Sequence, residues 1–264
     1  MGRIIRPMGI MRHPAIHGVR EVSGGGLSLP YLVNFDGLTN GTTPEEFIAA
    51  HATDNVMPVV DDSDDYLGGW RPNPLRKIMN FDVDSTHRSY ADYVLPDAVD
   101  ITGGVRVSIW IGTAKDSPAD TGFALLNDAT LSGSEYDGIV IAPRRLSPYD
   151  MKMYSVVDAS GTEYSSVRSM NKQYWQRHNI ELFPATEQVY HVEKNWGSTI
   201  QWGPYTVTPA NATNLFSEFT TLTHLRFYAQ PDVNIYYGKL YLAGFWIGGP
   251  TDDWPADSTQ GPPA

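Results

Sequence analysis

Val105-Arg106-Val107-Ser108-Ile109-Trp110-Ile111-Gly112 is the stretch on which the reading of this chain turns. Its odd positions are aliphatic, while Arg106, Ser108 and Trp110 take the even ones, and a two-residue period sends the two sets to opposite faces of a β-strand. One face seeks a core. The other sets a tryptophan among polar groups, either as a concave binding surface or beneath a covering loop. Lys239 to Gly248 is the second such anchor, an apolar strand near the far end of the chain.

Working outward, strand-sized segments recur between Gly, Pro, Asn and Asp. They begin with Tyr31 to Phe35, Ile78 to Val83, Tyr90 to Leu95 and Thr121 to Leu126. Gly138 to Ala142, Met151 to Val157, Tyr164 to Met170 and Trp175 to Phe183 follow, then Val189 to Lys194, Leu222 to Ala229 and Leu240 to Ile247. The series supplies two packed sheets. The segments between strands are too short and too rich in turn residues to hold the crossover helices of a parallel sheet. Helix is confined to Thr43 to Ala50, where Thr43 caps, Pro44 sits at the first helical position and Glu45 and Glu46 occupy the first turn. No repeat of fixed period is present, which argues against a propeller or solenoid.

A chain of 264 residues with 41% hydrophobic content can bury a substantial core. Its net charge of −11 argues against a nucleic-acid partner, since neutralising phosphates needs an excess of Lys and Arg on some face. Without cysteine there is neither a disulfide framework nor a thiolate metal site, which fits a protein completed in a reducing cytosol. The apolar stretches near the start are interrupted by Arg6, Pro7, Arg12 and Pro14, so no secretory signal is read, and no run is long enough for a membrane span.

Residues 1–30 read as an arm: Arg3, Arg6, Arg12 and Arg20 occur there before any acidic residue, and Ser23-Gly24-Gly25-Gly26 forms a joint. Opposite charge on arm and body suggests docking on an acidic surface of its own domain or of a neighbouring copy; a solvated leader is the alternative. Residues 31–248 form the sandwich, and 249–264 a Pro-, Gly- and Asp-rich tail.

Three stretches carry a family resemblance over about Phe35 to Gly248. Val105 to Thr113 looks like an early core strand of the form V-S-x-W-I. Trp175-Gln176-Arg177-His178-Asn179-Ile180-Glu181-Leu182 is similar to a mid-domain strand preceding Val189-Tyr190-His191-Val192, and Leu240 to Gly248 resembles a closing strand. Together they resemble concanavalin-like and laminin-G-like jelly rolls. The resemblance implies an all-β, antiparallel two-sheet sandwich, one sheet concave, with functions from glycan binding through polysaccharide cleavage to virion structure.

Tests for chemistry narrow these. The E-x-D-x-x-E arrangement of related glycoside hydrolases is absent, and Glu181, Glu187 and Glu193 have Pro184 breaking their register. His224, Arg226 and Tyr228 share one strand face opposite Leu225 and Phe227, and with Gln230 and Tyr241 they supply the residue types that alginate-lyase-like sandwiches use, without those enzymes' motifs. Asp61, Asp62, Asp64 and Asp65 are oxygen ligands suited to Ca²⁺, with Asp82 and Asp84 nearby, but lack EF-hand spacing; a solvated acidic loop is the plainer reading. His13 and His17 are four apart across Pro14, which disfavours a zinc-binding helix. No phosphate loop or nucleophile elbow occurs, and nothing requires a cofactor.

Aromatic residues point to binding. Trp70, Trp196, Trp202 and Trp254 fall in or near turns, and Trp196-Gly197 with Trp202-Gly203-Pro204-Tyr205 reads as a loop-borne platform on which sugar rings stack, or else as plugs for the ends of the sandwich. The expectation is a non-enzymatic structural protein of a virus particle, assembled in the host cytoplasm. It would be a phage capsid decoration, cement or fibre-associated subunit whose partners are other virion proteins or copies of itself, with no nucleic acid or membrane. A lectin-like module, reading a surface glycan through Trp196, Trp202, Tyr205, His224, Arg226 and Tyr228, is the alternative; a polysaccharide lyase or hydrolase is the second.

Overall fold

The computed structural model describes residues 27–50, 54–62, 76–82, 87–113, 120–127, 138–141, 150–153, 156–157, 162–163, 166–169, 176–186, 188–195, 201–207, 216, 219–230 and 239–255. In chain order the strands are β1 (Tyr31–Asn34), β2 (Phe47–Ala49), β3 (Val59–Asp62), β4 (Lys77–Asp82), β5 (Ser89–Asp100) and β6 (Val105–Thr113). Next come β7 (Asp120–Leu126), β8 (Gly138–Ile141), β9 (Asp150–Met153), β10 (Val156–Val157), β11 (Thr162–Glu163) and β12 (Ser166–Ser169). The last are β13 (Gln176–Phe183), β14 (Gln188–Asn195), β15 (Gln201–Val207), β16 (Thr221–Gln230) and β17 (Lys239–Gly248).

Two antiparallel sheets make the jelly-roll sandwich. The larger, of eight strands, runs β15-β14-β13-β6-β17-β4-β3, with β1 added on β17; the smaller, of five, runs β2-β5-β16-β7-β8. Strand β17 shares one edge between two partners: Leu240 to Leu242 face β4, and Gly244 to Ile247 face β1. A bulge makes the strand's apolar run intelligible. Leu242 opposes Ile111 and Gly244 opposes Trp110, so Ala243 is the extra residue, and the inward parity switches from Leu240 and Leu242 to Phe245 and Ile247.

The core lies between the sheets. Val105, Val107, Ile109 and Ile111 of β6 meet Phe123, Leu125, Leu225 and Phe227 of the smaller sheet. Aromatic contacts cross the gap, with Tyr93 edge-on to Phe245 at 4.8 Å and Phe81 6.1 Å from Phe227.

The helix expected over Thr43 to Ala50 does not form. Phe47 N donates to Pro44 O at 3.0 Å, closing a single turn, and β2 then pairs with β5, Phe47 opposite Tyr93. An eight-residue helix is marginal by itself. The β5 edge offers ladder bonds instead, Val94 N to Glu46 O at 2.9 Å and Ala50 N to Tyr90 O at 3.2 Å, while Phe47 buries against Phe35, Phe81 and Tyr93. Among the described residues no helix is long and apolar enough to cross a membrane.

Candidate functional site

On β16 the expected alternation holds, Leu225 and Phe227 facing the core and His224, Arg226 and Tyr228 the other side of the small sheet. That second face is not an open polar surface at Arg226. The guanidinium is fully buried and grips Asp92 of β5 with two bonds, Nε to Oδ1 at 2.6 Å and a terminal nitrogen to Oδ2 at 2.8 Å, the carboxylate being fully buried as well. Tyr228, also buried, stacks on Tyr90 with ring centroids 5.1 Å apart. His224 is half-buried, its Nδ1 2.7 Å from the Thr223 hydroxyl. Since that hydroxyl's one proton points at the Asn127 carbonyl, 2.6 Å away, Nδ1–H of His224 is the donor to Thr223. Sequence alone does not distinguish Asp92 and Tyr90, because only the register, which sets Arg226 against Asp92 and Tyr228 against Tyr90, makes them partners.

The outer face of the large sheet carries Arg106, Ser108 and Trp110, and a covering segment closes over it. Residues 249–255, the described part of the C-terminal tail, lie across this face. Trp254 sits 5.8 Å from the Trp246 ring and under the Arg106 guanidinium at 5.4 Å. Arg106 also pairs with Glu181 at 2.5 Å and donates to Asp252 O at 2.6 Å. Arg177 donates to Pro255 O at 2.9 Å and to Asn179 Oδ1 at 2.8 Å, and its guanidinium stands 5.1 Å from the Trp110 ring. Trp110 is accordingly buried. Gly248 is a close-approach glycine here, since a Cβ would run into the Trp246 ring.

Trp202 and Tyr205, expected in a loop, belong to strand β15, paired with Glu193 and His191 of β14. Gly203 and Pro204 make the bulge between these pairs, opposite Val192; Gly and Pro mimic a turn in sequence, yet an edge strand tolerates both at a bulge. Trp196 and Trp70 lie outside the described residues, as do Arg3, Arg6, Arg12 and Arg20 of the arm.

Of the acidic run, Asp61 and Asp62 lie in β3, while Asp64 and Asp65 lie outside the described residues. Asp62 already has a cation: the Lys77 ammonium is 2.7 Å from Oδ1, and Asn40 Nδ2 donates to Oδ2 at 2.8 Å. These two bonds hold its carboxyl below the usual carboxylate range. Among the described residues no group of three or more His, Asp or Glu side chains could hold a metal.

A different concavity, not read from the sequence, opens beside β1 and the turn before β2. It has about 270 Å³, walled by Val33, Phe35, Leu38, Pro44 and Tyr93, with Asn34, Glu45 and Glu46 completing the lining. Behind it the Tyr31 and Tyr93 hydroxyls bond at 2.8 Å. Burial raises the pKa of both phenols, and the nearby Glu46 charge adds to the effect.

No known family model and no curated protein sequence matches the chain. Solved structures do. Winged bean acidic lectin superposes with a TM-score of 0.51 at 8% identity over 83% of this chain and 98% of the lectin. The CBM2 module of the evolved Dit of Lactobacillus casei BL23 phage J-1 gives 0.52 at 12% identity, over 85% of this chain and 96% of the module. A structure from work on endo-acting O-glycanases of the human gut microbiota gives 0.53 at 7% identity, over 83% and 98%. At such identities the likeness is one of architecture: the fold of this chain is an antiparallel two-sheet jelly-roll sandwich.

Proposed function

We propose that this chain is a non-enzymatic structural subunit of a virus particle, of the capsid decoration, cement or fibre-associated kind, that works by binding neighbouring virion proteins. The observation that favours a structural or binding role over the lyase alternative is the buried pair of Arg226 and Asp92 beside the stacked Tyr228 and Tyr90. General acid–base or lyase chemistry needs such groups within reach of a substrate. Here they hold the small sheet together, which favours binding over catalysis. Cysteine-free composition and a basic leading segment on an acidic body suit a subunit assembled in the host cytoplasm and touching its neighbours. The likeness to a phage Dit module is compatible with this setting.

A second reading, glycan binding, draws on the lectin and the phage carbohydrate-binding module among the fold relatives. Its residues would be Trp202 and Tyr205 on edge strand β15.

Both readings meet in one experiment, in which purified protein is incubated with isolated phage particles and, separately, with a glycan array and a panel of polysaccharides. Saturable co-sedimentation with particles is the expected result. Binding to glycans alone would replace the first reading by the second, and release of new reducing or unsaturated ends from a polysaccharide would overturn both.

A further inference from the structure

The concavity beside β1 has features of a docking site. Its walls are apolar, with Val33, Phe35 and Tyr93 buried and Leu38 and Pro44 half-buried, and the exposed Glu45 and half-buried Glu46 stand at its lining. Burial keeps the Tyr31 and Tyr93 phenols neutral, and the charge of nearby Glu46 adds to the effect. A volume of about 270 Å³ lies just below the range of small-molecule and cofactor sites and suits one or two side chains of a docking segment. An apolar slot bordered by two acidic residues, Glu45 and Glu46, matches a cation on an aliphatic stem. Arginine fits best, because its planar guanidinium takes a carboxylate bidentately and lies flat on a ring while its stem packs against carbon.

The chain supplies such a segment. Residues 1–20 hold Arg3, Arg6, Arg12 and Arg20, set among Ile4, Ile5, Met11 and other apolar residues and without an acidic one. The remaining 244 residues therefore carry −15 of the whole chain's −11. This segment joins the body ahead of Tyr31, at the end of β1 away from the cavity, which is lined from Val33 onward. Ser23-Gly24-Gly25-Gly26, a composition typical of flexible linkers, stands between this segment and β1.

We propose that the cavity lined by Phe35, Leu38, Glu45, Glu46 and Tyr93 receives an arginine of the 1–20 segment from a second copy of this chain. The inference rests on the structural-subunit reading and names the contact by which copies engage.

Charge reversal in the full chain tests it. Glu45→Lys with Glu46→Lys alters two side chains outside the core; Arg3, Arg6, Arg12 and Arg20→Glu alters the arm alone. Analytical ultracentrifugation of the wild type is expected to show association that weakens with added salt, and each variant alone should need a concentration higher by about tenfold or more. Circular dichroism is expected to be unchanged in both. Mixing the two variants should restore association, because the reversed arm of one fits the reversed cavity of the other.

A wild type that stays monomeric overturns the proposal, and so does a mixture that stays monomeric. If only a chain carrying both reversals recovers a compact form, without association, the segment docks on its own subunit and the second copy is excluded. Particle co-sedimentation of the same proteins separates the two readings. Lost self-association with intact particle binding removes this contact only, whereas restored association with no particle binding removes the virion role and keeps the contact.

Discussion

Arg226 shows how a single side chain can mislead when read along its own strand. Period two places it on a polar face with His224 and Tyr228, and that much was legible. Its partner Asp92 lies 134 positions earlier in sequence, and only the pairing of β16 with β5 brings the two together. Two charges withdrawn from water in this way are held by each other, and removal of one leaves the other stranded. Arg226→Met is therefore expected to cost about 3–5 kcal/mol in urea unfolding, while Arg226→Met combined with Asp92→Leu recovers most of the loss. A double variant as unstable as the single one would mean that the pair has further buried partners that need its charge. The Tyr31 and Tyr93 phenols allow a second test at this scale. Both have raised pKa values in the fold, so the unfolded chain ionises first, near pH about 10. Their contribution to stability is complete below that pH and declines as pH climbs above it. Tyr93→Phe should flatten this alkaline decline, as followed by urea midpoints from neutral to strongly alkaline pH, and a curve parallel to that of the wild type would contradict the assignment.

At the level of elements, strands with clear alternation or sustained apolar runs were legible, β6, β13, β14, β16 and β17 above all, with ends close to those expected. Four strands were not. β2 has three residues and follows a Pro-Glu-Glu turn that imitates a helix start, β3 has two carboxylates in its four residues, β11 has only Thr162 and Glu163, and β15 contains Gly203 and Pro204. Each lies near a sheet edge, where few inward positions are needed and the pattern is correspondingly faint. The covering of Trp110 was open as an alternative, but its agent was not, because the Trp254 contact joins an extended tail to a distant face. This segment is held by two arginine bonds to carbonyls and by Trp254 between Trp246 and Arg106. Trp254→Ala is expected to cost about 1–2 kcal/mol from the aromatic pair and the cation contact together, and to shift tryptophan emission to the red as Trp246 meets water. Unchanged emission would place the ring contacts outside the stabilising set.

Across the whole molecule, the sandwich follows from composition and period, whereas the order of strands within the sheets does not. That order has a temporal side. Among the described residues β1 has one ladder partner, its Tyr31 pairing with Ile247 of β17, as β5 pairs with the late β16. On a ribosome, β1 emerges long before β17 and must wait for this partner until nearly the entire sandwich has been synthesised. With so many pairings between residues distant along the chain, refolding is expected at the slow end of the scale, on the order of seconds, by stopped-flow tryptophan fluorescence. A nascent chain halted before Lys239 would present the apolar side of β1, with Tyr31 and Val33, to whatever chaperone or neighbour it met first.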